Sequence, residues 1–254
     1  MRGLKFIAIK EIDIMVRKLL PLSLLLAFSS SIQAKTIWSD YSLTYLNGSN
    51  YEVGDDEKQV WTFEYASGTS WGDTFMFFDR LESDDGSFET YGEFSPRIKL
   101  TEFKAGVFKN LYFAPSVEMG PTNNYLWGVS TDVVLPHFKF MKLSFYARDN
   151  GNGDGSFQTT LSWAVPIGPF TYDGFIDYAT GADNVDVGGA LVDRETQMNF
   201  TSQLKYDLAP HFNLDNRLFV GIEYVFWNNK FGIKDSPAFK TDERNANLLV
   251  KYHF

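Results

Sequence analysis

Apolar and polar residues alternate at every second position in segments spread along the 254-residue chain, and this period of two is what most restricts its fold. Between Met198 and Leu208, the residues Met198, Phe200, Leu204, Tyr206 and Leu208 fall on one face of an extended backbone, and Asn199, Thr201, Gln203, Lys205 and Asp207 on the other. Tyr41, Leu43 and Tyr45 alternate with Asp40, Ser42 and Thr44, and Trp61, Phe63 and Tyr65 with Thr62 and Glu64. The pattern returns at Met141, Leu143 and Phe145 against Lys142 and Ser144, and at Leu218, Val220, Ile222, Tyr224 and Phe226 against Gly221 and Glu223. These are strands with one apolar and one wet face. Phe75 to Phe78 is apolar on both faces, and Pro115, which has no N–H for a ladder, interrupts Phe113 to Val117, so alternation is weaker there.

Twelve strands are predicted, over 39–47, 58–67, 71–80, 88–98, 110–119, 123–134, 138–148, 156–166, 170–179, 196–208, 216–228 and 244–254. Most are near the ten residues with which a tilted strand crosses a bilayer, and their number is even. With the first strand running outward, the outer connections are 48–57, 81–87, 120–122, 149–155, 180–195 and 229–243, mostly long, acidic or rich in Gly, Asn and Asp. The inner set includes the compact 67–70, 135–137 and 167–169, although 99–109 and 209–215 are longer than such turns usually are. After the N-terminal segment there is no run of 18 apolar residues to form a transmembrane helix. The fold class expected is therefore all-β: a transmembrane antiparallel β-barrel of about 12 strands with short periplasmic turns and longer extracellular loops. A soluble β-sandwich would also alternate. It would seldom place so many of 24 Phe, 13 Tyr and 6 Trp residues at strand ends.

Residues 1–34 read as an export segment. From Met15, Arg17 and Lys18 supply the basic start, Leu19 to Phe28 the apolar stretch and Ser29 to Ala34 the small-residue exit, which puts cleavage after Ala34. Met15 heads a complete signal and is read as the true start; a long basic start region from Met1 is the alternative. The chain thus divides into 1–34, an N-terminal extension and signal peptide, and 35–254, the barrel, in the bacterial outer membrane. Residues 1–34 carry five cations and two anions, so their removal takes the net charge from −9 to −12. Such an acidic chain is a poor partner for nucleic acid. The absence of cysteine excludes a disulfide scaffold and a thiolate metal site.

The last strand carries the most specific local signal. Leu248, Val250, Tyr252 and the terminal Phe254 share one face, with Asn247, Lys251 and His253 opposite. This ending resembles the terminal assembly signal that the barrel insertion machinery recognises, so that machinery is an expected partner of Phe254.

Chemistry-bearing motifs are few. Gly68-Thr69-Ser70-Trp71-Gly72 matches the G-x-S-x-G nucleophile elbow, but a strand rather than a helix should follow, so the segment reads as a hairpin turn. His137 and His211, two of the three histidines, fall in inner turns, which leaves no Ser-His pair at the outer rim; no enzyme is expected. Asp149 to Gly155 has oxygens for calcium but lacks the spaced acid of an EF-hand loop and reads as an exposed hairpin. No metal or cofactor is expected. Outer-membrane lipid and lipopolysaccharide are expected partners, and the acidic loops at Asp55-Asp56-Glu57 and Asp84-Asp85 have the chemistry to share divalent cations with lipid phosphates.

Function should lie in the lumen, where alternation aims Glu64, Glu93, Arg97, Asp132, Lys142, Asp173, Asp177, Lys205, Glu223 and Lys251 inward. Two outcomes stay open for such mixed charges: a structural network that closes a narrow pore, or a polar path for a solute. Phe175 and Trp227 also point inward and offer flat faces to a planar ligand.

Trp71-Gly72-Asp73 leading to Phe77-Phe78-Asp79-Arg80, Tyr91-Gly92-Glu93-Phe94-Ser95-Pro96-Arg97, Asp173-Gly174-Phe175-Ile176-Asp177-Tyr178, Gly221-Ile222-Glu223-Tyr224 and Trp227-Asn228-Asn229-Lys230-Phe231-Gly232 together resemble the nucleoside-specific channel-forming outer-membrane proteins (Tsx-like). The resemblance implies a monomeric twelve-stranded barrel whose narrow channel passes nucleosides by diffusion through weak sites, and whose outer loops can receive phages or colicins. Weak nucleoside sites need rings for the base and carboxylates for sugar hydroxyls. The expected lining is Asp73, Asp79, Arg80, Glu93, Arg97, Asp132, Asp173, Asp177, Glu223 and Trp227, with the arginines holding the carboxylates in place. No ATP motif is visible, so transport would be passive. A non-selective small-solute porin and a structural or phage-receptor barrel with a closed lumen are the competing functions.

Overall fold

Each strand of the barrel pairs antiparallel with its neighbours until the last meets the first. The computed structural model describes residues 35–151, 153–187 and 189–254; the expected signal segment lies outside the described residues. Along the chain run β1 (Thr36–Ser49), β2 (Glu57–Thr69), β3 (Gly72–Ser83), β4 (Phe88–Ala105), β5 (Phe108–Met119), β6 (Asn124–Val133), β7 (Phe140–Asp149), β8 (Ser156–Ile167) and β9 (Phe170–Ala179). They are followed by β10 (Ala182–Val187), β11 (Ala190–Arg194), β12 (Gln197–Asp207), β13 (Leu218–Asn228) and β14 (Glu243–His253). Twelve of them close a barrel in the order β1-β14-β13-β12-β9-β8-β7-β6-β5-β4-β3-β2, while β10 and β11 form a separate hairpin. The β1–β14 seam runs from Ser42↔His253 to Ser49↔Ala246. Closure pairs the strand edges, which a bilayer would otherwise leave unsatisfied.

The segment 180–195, expected as a plain outer loop, is the β10–β11 hairpin flanked by short links. The long inner connection expected at 99–109 does not exist as a loop. β4 and β5 continue past the expected boundary to a two-residue turn, Gly106-Val107, where Gly106 takes the positive φ of 63° that a side chain would resist. Ser70 and Trp71 connect β2 to β3 directly, so the G-x-S-x-G match is a hairpin turn and not an elbow. The connection 208–217 holds one helical turn, Ala209–Phe212.

Alternation divides the barrel wall as its period requires. Leu43, Phe78, Phe94, Val129, Phe145, Leu204, Ile222 and Leu248 point outward and are exposed, while their inward neighbours Ser42, Thr44, Ser130, Ser144, Lys205, Glu223 and Asn247 are buried. The exposed apolar side chains are a belt for acyl chains. Aromatic pairs mark its two edges: Tyr45–Trp61, with centroids 4.8 Å apart, toward the outer end, and Tyr252–Phe254 at 5.2 Å at the inner end. At the inner end Asp40 accepts from Arg217 at 2.8 Å and lies 2.7 Å from His253 Nδ1, tying the seam.

Candidate functional site

The inward side chains fall into two closed regions and one open one. Along β12, β13 and β14 a chain of hydrogen bonds climbs the wall. Lys205 donates to Asp173 (2.7 Å) and Gln203 (2.9 Å), Gln203 to Glu223 (2.8 Å), and Asn247 to Glu223 (3.2 Å) and Asn245 (3.2 Å). Asn245 donates to Glu243 at 2.9 Å, and Lys230 reaches both oxygens of Glu243 at 2.8 and 2.7 Å. Nearby, Lys251 and Ser42 both bond Glu64. Leu46, Val60 and Leu249 pack together inside the barrel on the same side. This wall is sealed, because its polar groups satisfy one another.

A second closed region is built on Arg97, which is 6% exposed. It donates to Asp73 (2.9 and 2.5 Å), Asp132 (2.9 Å) and Ser130 (3.1 Å), and its guanidinium lies 4.1 Å from the Tyr112 ring centroid. Tyr112 and Asn110 also donate to Asp132, and Lys142 to Asp73. The five strands β3 to β7 contribute, so the hub holds that side of the lumen in one arrangement.

Between these regions, inward-pointing residues remain accessible to solvent. Phe75 is the most open at 36% exposure; Phe77, Asp79, Tyr91, Glu93, Tyr146, Phe175 and Asp177 are half-buried. Phe75, Phe77 and Tyr91 form a ladder of rings with centroids 6.0 and 5.8 Å apart. Beside it, Tyr91 donates to Glu93 at 2.7 Å and Thr62 to Asp79 at 2.6 Å; from β8, Thr160 donates to Asp177 at 2.5 Å. Glu93 is within electrostatic reach of Glu118, Asp177 and Asp79, so carboxylates from four strands face one another. Among the described residues no cation forms an ion pair with Asp79, Glu93 or Asp177, while Arg148 is within electrostatic reach of Asp177; each carboxylate keeps acceptor lone pairs beyond its one hydroxyl donor.

The residues singled out by sequence therefore separate. Asp79, Glu93 and Asp177 are half-buried inward carboxylates in the accessible region. Asp73, Arg97 and Asp132 form the hub, and Asp173 and Glu223 belong to the sealed wall. Trp227 points inward, but Lys230 sits 5.7 Å from its ring centroid and Phe231 packs at 6.1 Å, so its face is already covered. Arg80 corrects the expectation: it is opposite the outward Trp61 in the β2–β3 register, with its guanidinium 3.4 Å from the Phe88 ring centroid and Glu82 at 3.7 Å. Asp79 and Arg80 are adjacent in an extended strand and cannot share a face. Sequence reasoning missed Phe75, Phe77, Tyr91 and Tyr146, although counting by twos from Asp73 places Phe75, Phe77 and Asp79 together.

No family model matches the sequence. Outer membrane protein OmpK of Vibrio parahaemolyticus serotype O3:K6 (strain RIMD 2210633) is 25% identical over 286 residues, which cover 94% of this chain and 100% of the relative. Among solved structures, a KdgM porin in complex with disordered oligogalacturonate gives a TM-score of 0.47 at 13% identity, covering 84% of this chain and 99% of that one. OccK5 (OpdH) of Pseudomonas aeruginosa gives 0.44 at 8% identity, covering 85% and 97%. The closed barrel, its apolar belt and the likeness to OmpK define a β-barrel protein of the bacterial outer membrane.

Proposed function

We propose that the barrel is a channel for the passive, selective diffusion of nucleosides. The observation that carries this reading is the Phe75–Phe77–Tyr91 ring ladder beside the carboxylates of Asp79, Glu93 and Asp177, whose hydrogen-bond partners are neutral hydroxyls. A nucleoside joins a planar, uncharged base to a sugar rich in hydroxyls. The base stacks on a ring, worth about 1–3 kcal/mol, and a hydroxyl donates to a carboxylate for about 1.5–3 kcal/mol more. Contacts this few and this weak correspond to a weak site, of about millimolar affinity or weaker. Sites of that strength along a ladder release a solute as readily as they take it, which passage requires.

A non-selective small-solute pore is the second reading. It is favoured by the commitment of Arg97, the planar donor best suited to clamp a solute, to Asp73 and Asp132. Liposome swelling separates the two. The selective channel admits nucleosides faster than sugars or amino acids of similar size, whereas the general pore admits all three alike. Correct insertion without swelling or conductance would leave a closed structural or receptor barrel.

A further inference from the structure

Connections between strands ordinarily run over a protein's surface, but the one between β1 and β2, residues 50–56, turns into the outer mouth. Its Tyr51 is buried. The Tyr51 hydroxyl donates to Asn247 Oδ1 at 2.9 Å, and Asn247 is an inward residue of β14, itself 1% exposed. In the barrel order β2-β1-β14 the first strand stands between, so Tyr51 reaches across the inside of β1 to its far neighbour. The ring lies between two ammonium groups, with Lys58 Nζ 5.3 Å and Lys230 Nζ 5.8 Å from its centroid. The phenol is also within electrostatic reach of Glu223 and Asp79. Asp79 is the next inward residue of β3 beyond Phe75 and Phe77 toward the outer end, so Tyr51 hangs above the ring ladder.

Further bonds fix the connection in this position. The Glu52 N–H donates to Glu243 Oε2 at 3.0 Å, and Lys58 Nζ donates to the Val53 carbonyl at 3.0 Å. Gly54 makes the turn around that ammonium with a φ of 84°, where a Cβ would come 3.3 Å from Nζ. Asp55 Oδ2 accepts from the Asp85 N–H at 3.0 Å, which ties the connection to the next one along the rim. Glu243 and Lys58 are 1% and 3% exposed, and the connection supplies part of what satisfies them.

Resting on the channel reading above, we propose that residues 50–56 are a strap closed across part of the outer mouth, and that Tyr51 sets the size of solute admitted to the ring ladder. A ring held on its faces by two cations and at its hydroxyl by Asn247 does not swing aside for each arriving solute. What a solute meets is the width left beside it, and pore width is what selects by size. Compact neutral solutes the size of a nucleoside enter, and longer oligomers are turned away.

The test compares wild type with Tyr51→Ala, Tyr51→Phe and Glu52→Ala, each checked for folding by heat-modifiable migration. Ion conductance is read in planar bilayers in concentrated potassium chloride, and size selection by liposome swelling in uncharged mono-, di- and trisaccharides. Tyr51→Ala should raise conductance about twofold or more and admit trisaccharide. Tyr51→Phe keeps the ring and should stay close to wild type. Glu52→Ala keeps the backbone bond to Glu243 and should also match wild type. Should Tyr51→Ala not fold, Tyr51→Cys replaces it: its current should exceed wild type and fall again when a bulky neutral thiol reagent is attached. A folded Tyr51→Ala with wild-type conductance and size limit, or an equal rise in Glu52→Ala, overturns the proposal. These readings involve no nucleoside, so nucleoside selectivity can fail without touching them. Current through Tyr51→Ala but none through wild type keeps the strap and overturns the open channel; current through neither overturns the strap.

Discussion

Arg97 and Asp73 stand opposite one another in the β3–β4 register and are joined twice, Nε to Oδ1 at 2.9 Å and Nη2 to Oδ2 at 2.5 Å. Arg97 is buried and Asp73 half-buried, and the arginine is shared with Asp132. Replacing Arg97 by Met leaves two carboxylates facing each other with Lys142 as the nearby cation. Breaking a buried pair by removing one partner costs about 3–5 kcal/mol. Urea unfolding of the detergent-folded barrel, followed by its heat-modifiable gel migration, should show that loss.

The carboxylates along the passage should behave in the opposite way. Glu93 and Asp177 accept from neutral hydroxyls and face other acids, with Arg148 within electrostatic reach of Asp177, so Glu93→Gln should leave the urea midpoint unchanged or raised and Asp177→Asn should leave it unchanged. Each should weaken nucleoside block by roughly tenfold to a hundredfold, the equivalent of one charge-assisted hydrogen bond of about 1.5–3 kcal/mol. Asp173→Ala, in contrast, strands Lys205 and should destabilise the barrel. Bilayer titration alongside urea unfolding distinguishes the two classes.

The outer connection 229–242 is fastened by Asp235, whose Oδ1 accepts the N–H groups of Thr241 at 2.8 Å and Asp242 at 3.1 Å. These bonds hold its pKa below the ordinary 3.8. A carboxylate with a lowered folded pKa contributes its stability above the unfolded value and loses it as pH falls through the folded one. The loop should therefore stay fastened at neutral pH and loosen below about pH 3.8. Asp235→Ala should produce the same loosening at pH 7, read as faster hydrogen exchange at the Thr241 and Asp242 amides.

Arg80 gives a contrast between the sequence expectation and the structure. As a lumen residue its loss would alter conductance; as an outward residue near the membrane edge it should not. An arginine at that depth of a barrel's lipid face costs about 0–1 kcal/mol. Arg80→Leu is expected to keep single-channel conductance and nucleoside block, with stability changed by no more than about 1 kcal/mol.

Much of the barrel was legible because a period of two is a local property. The alternating faces between Met198 and Asp207 follow from counting alone, and the observed β12 agrees, while Leu208 falls in the connection that follows. Where both faces are apolar the count has no internal reference, which is why Phe75 and Phe77 were not recognised as lining. Partner choice was not legible. Glu93 and Asp173 look alike along the chain, yet one faces other acids and the other holds Lys205, because barrel closure decides which distant strands meet. Nor does alternation reveal that Lys230, from a connection, covers the Trp227 ring.

The native chain has no cysteine, so single substitutions can report directly which side of the wall is wet. Phe175→Cys and Ile176→Cys should be compared in planar bilayers exposed to a charged, water-soluble thiol reagent. The passage described here requires that Phe175→Cys is modified and its current falls, while Ile176→Cys keeps its current. Modification of Ile176→Cys with Phe175→Cys untouched, or no reaction and no current in either folded variant, would contradict an open polar lumen behind this wall.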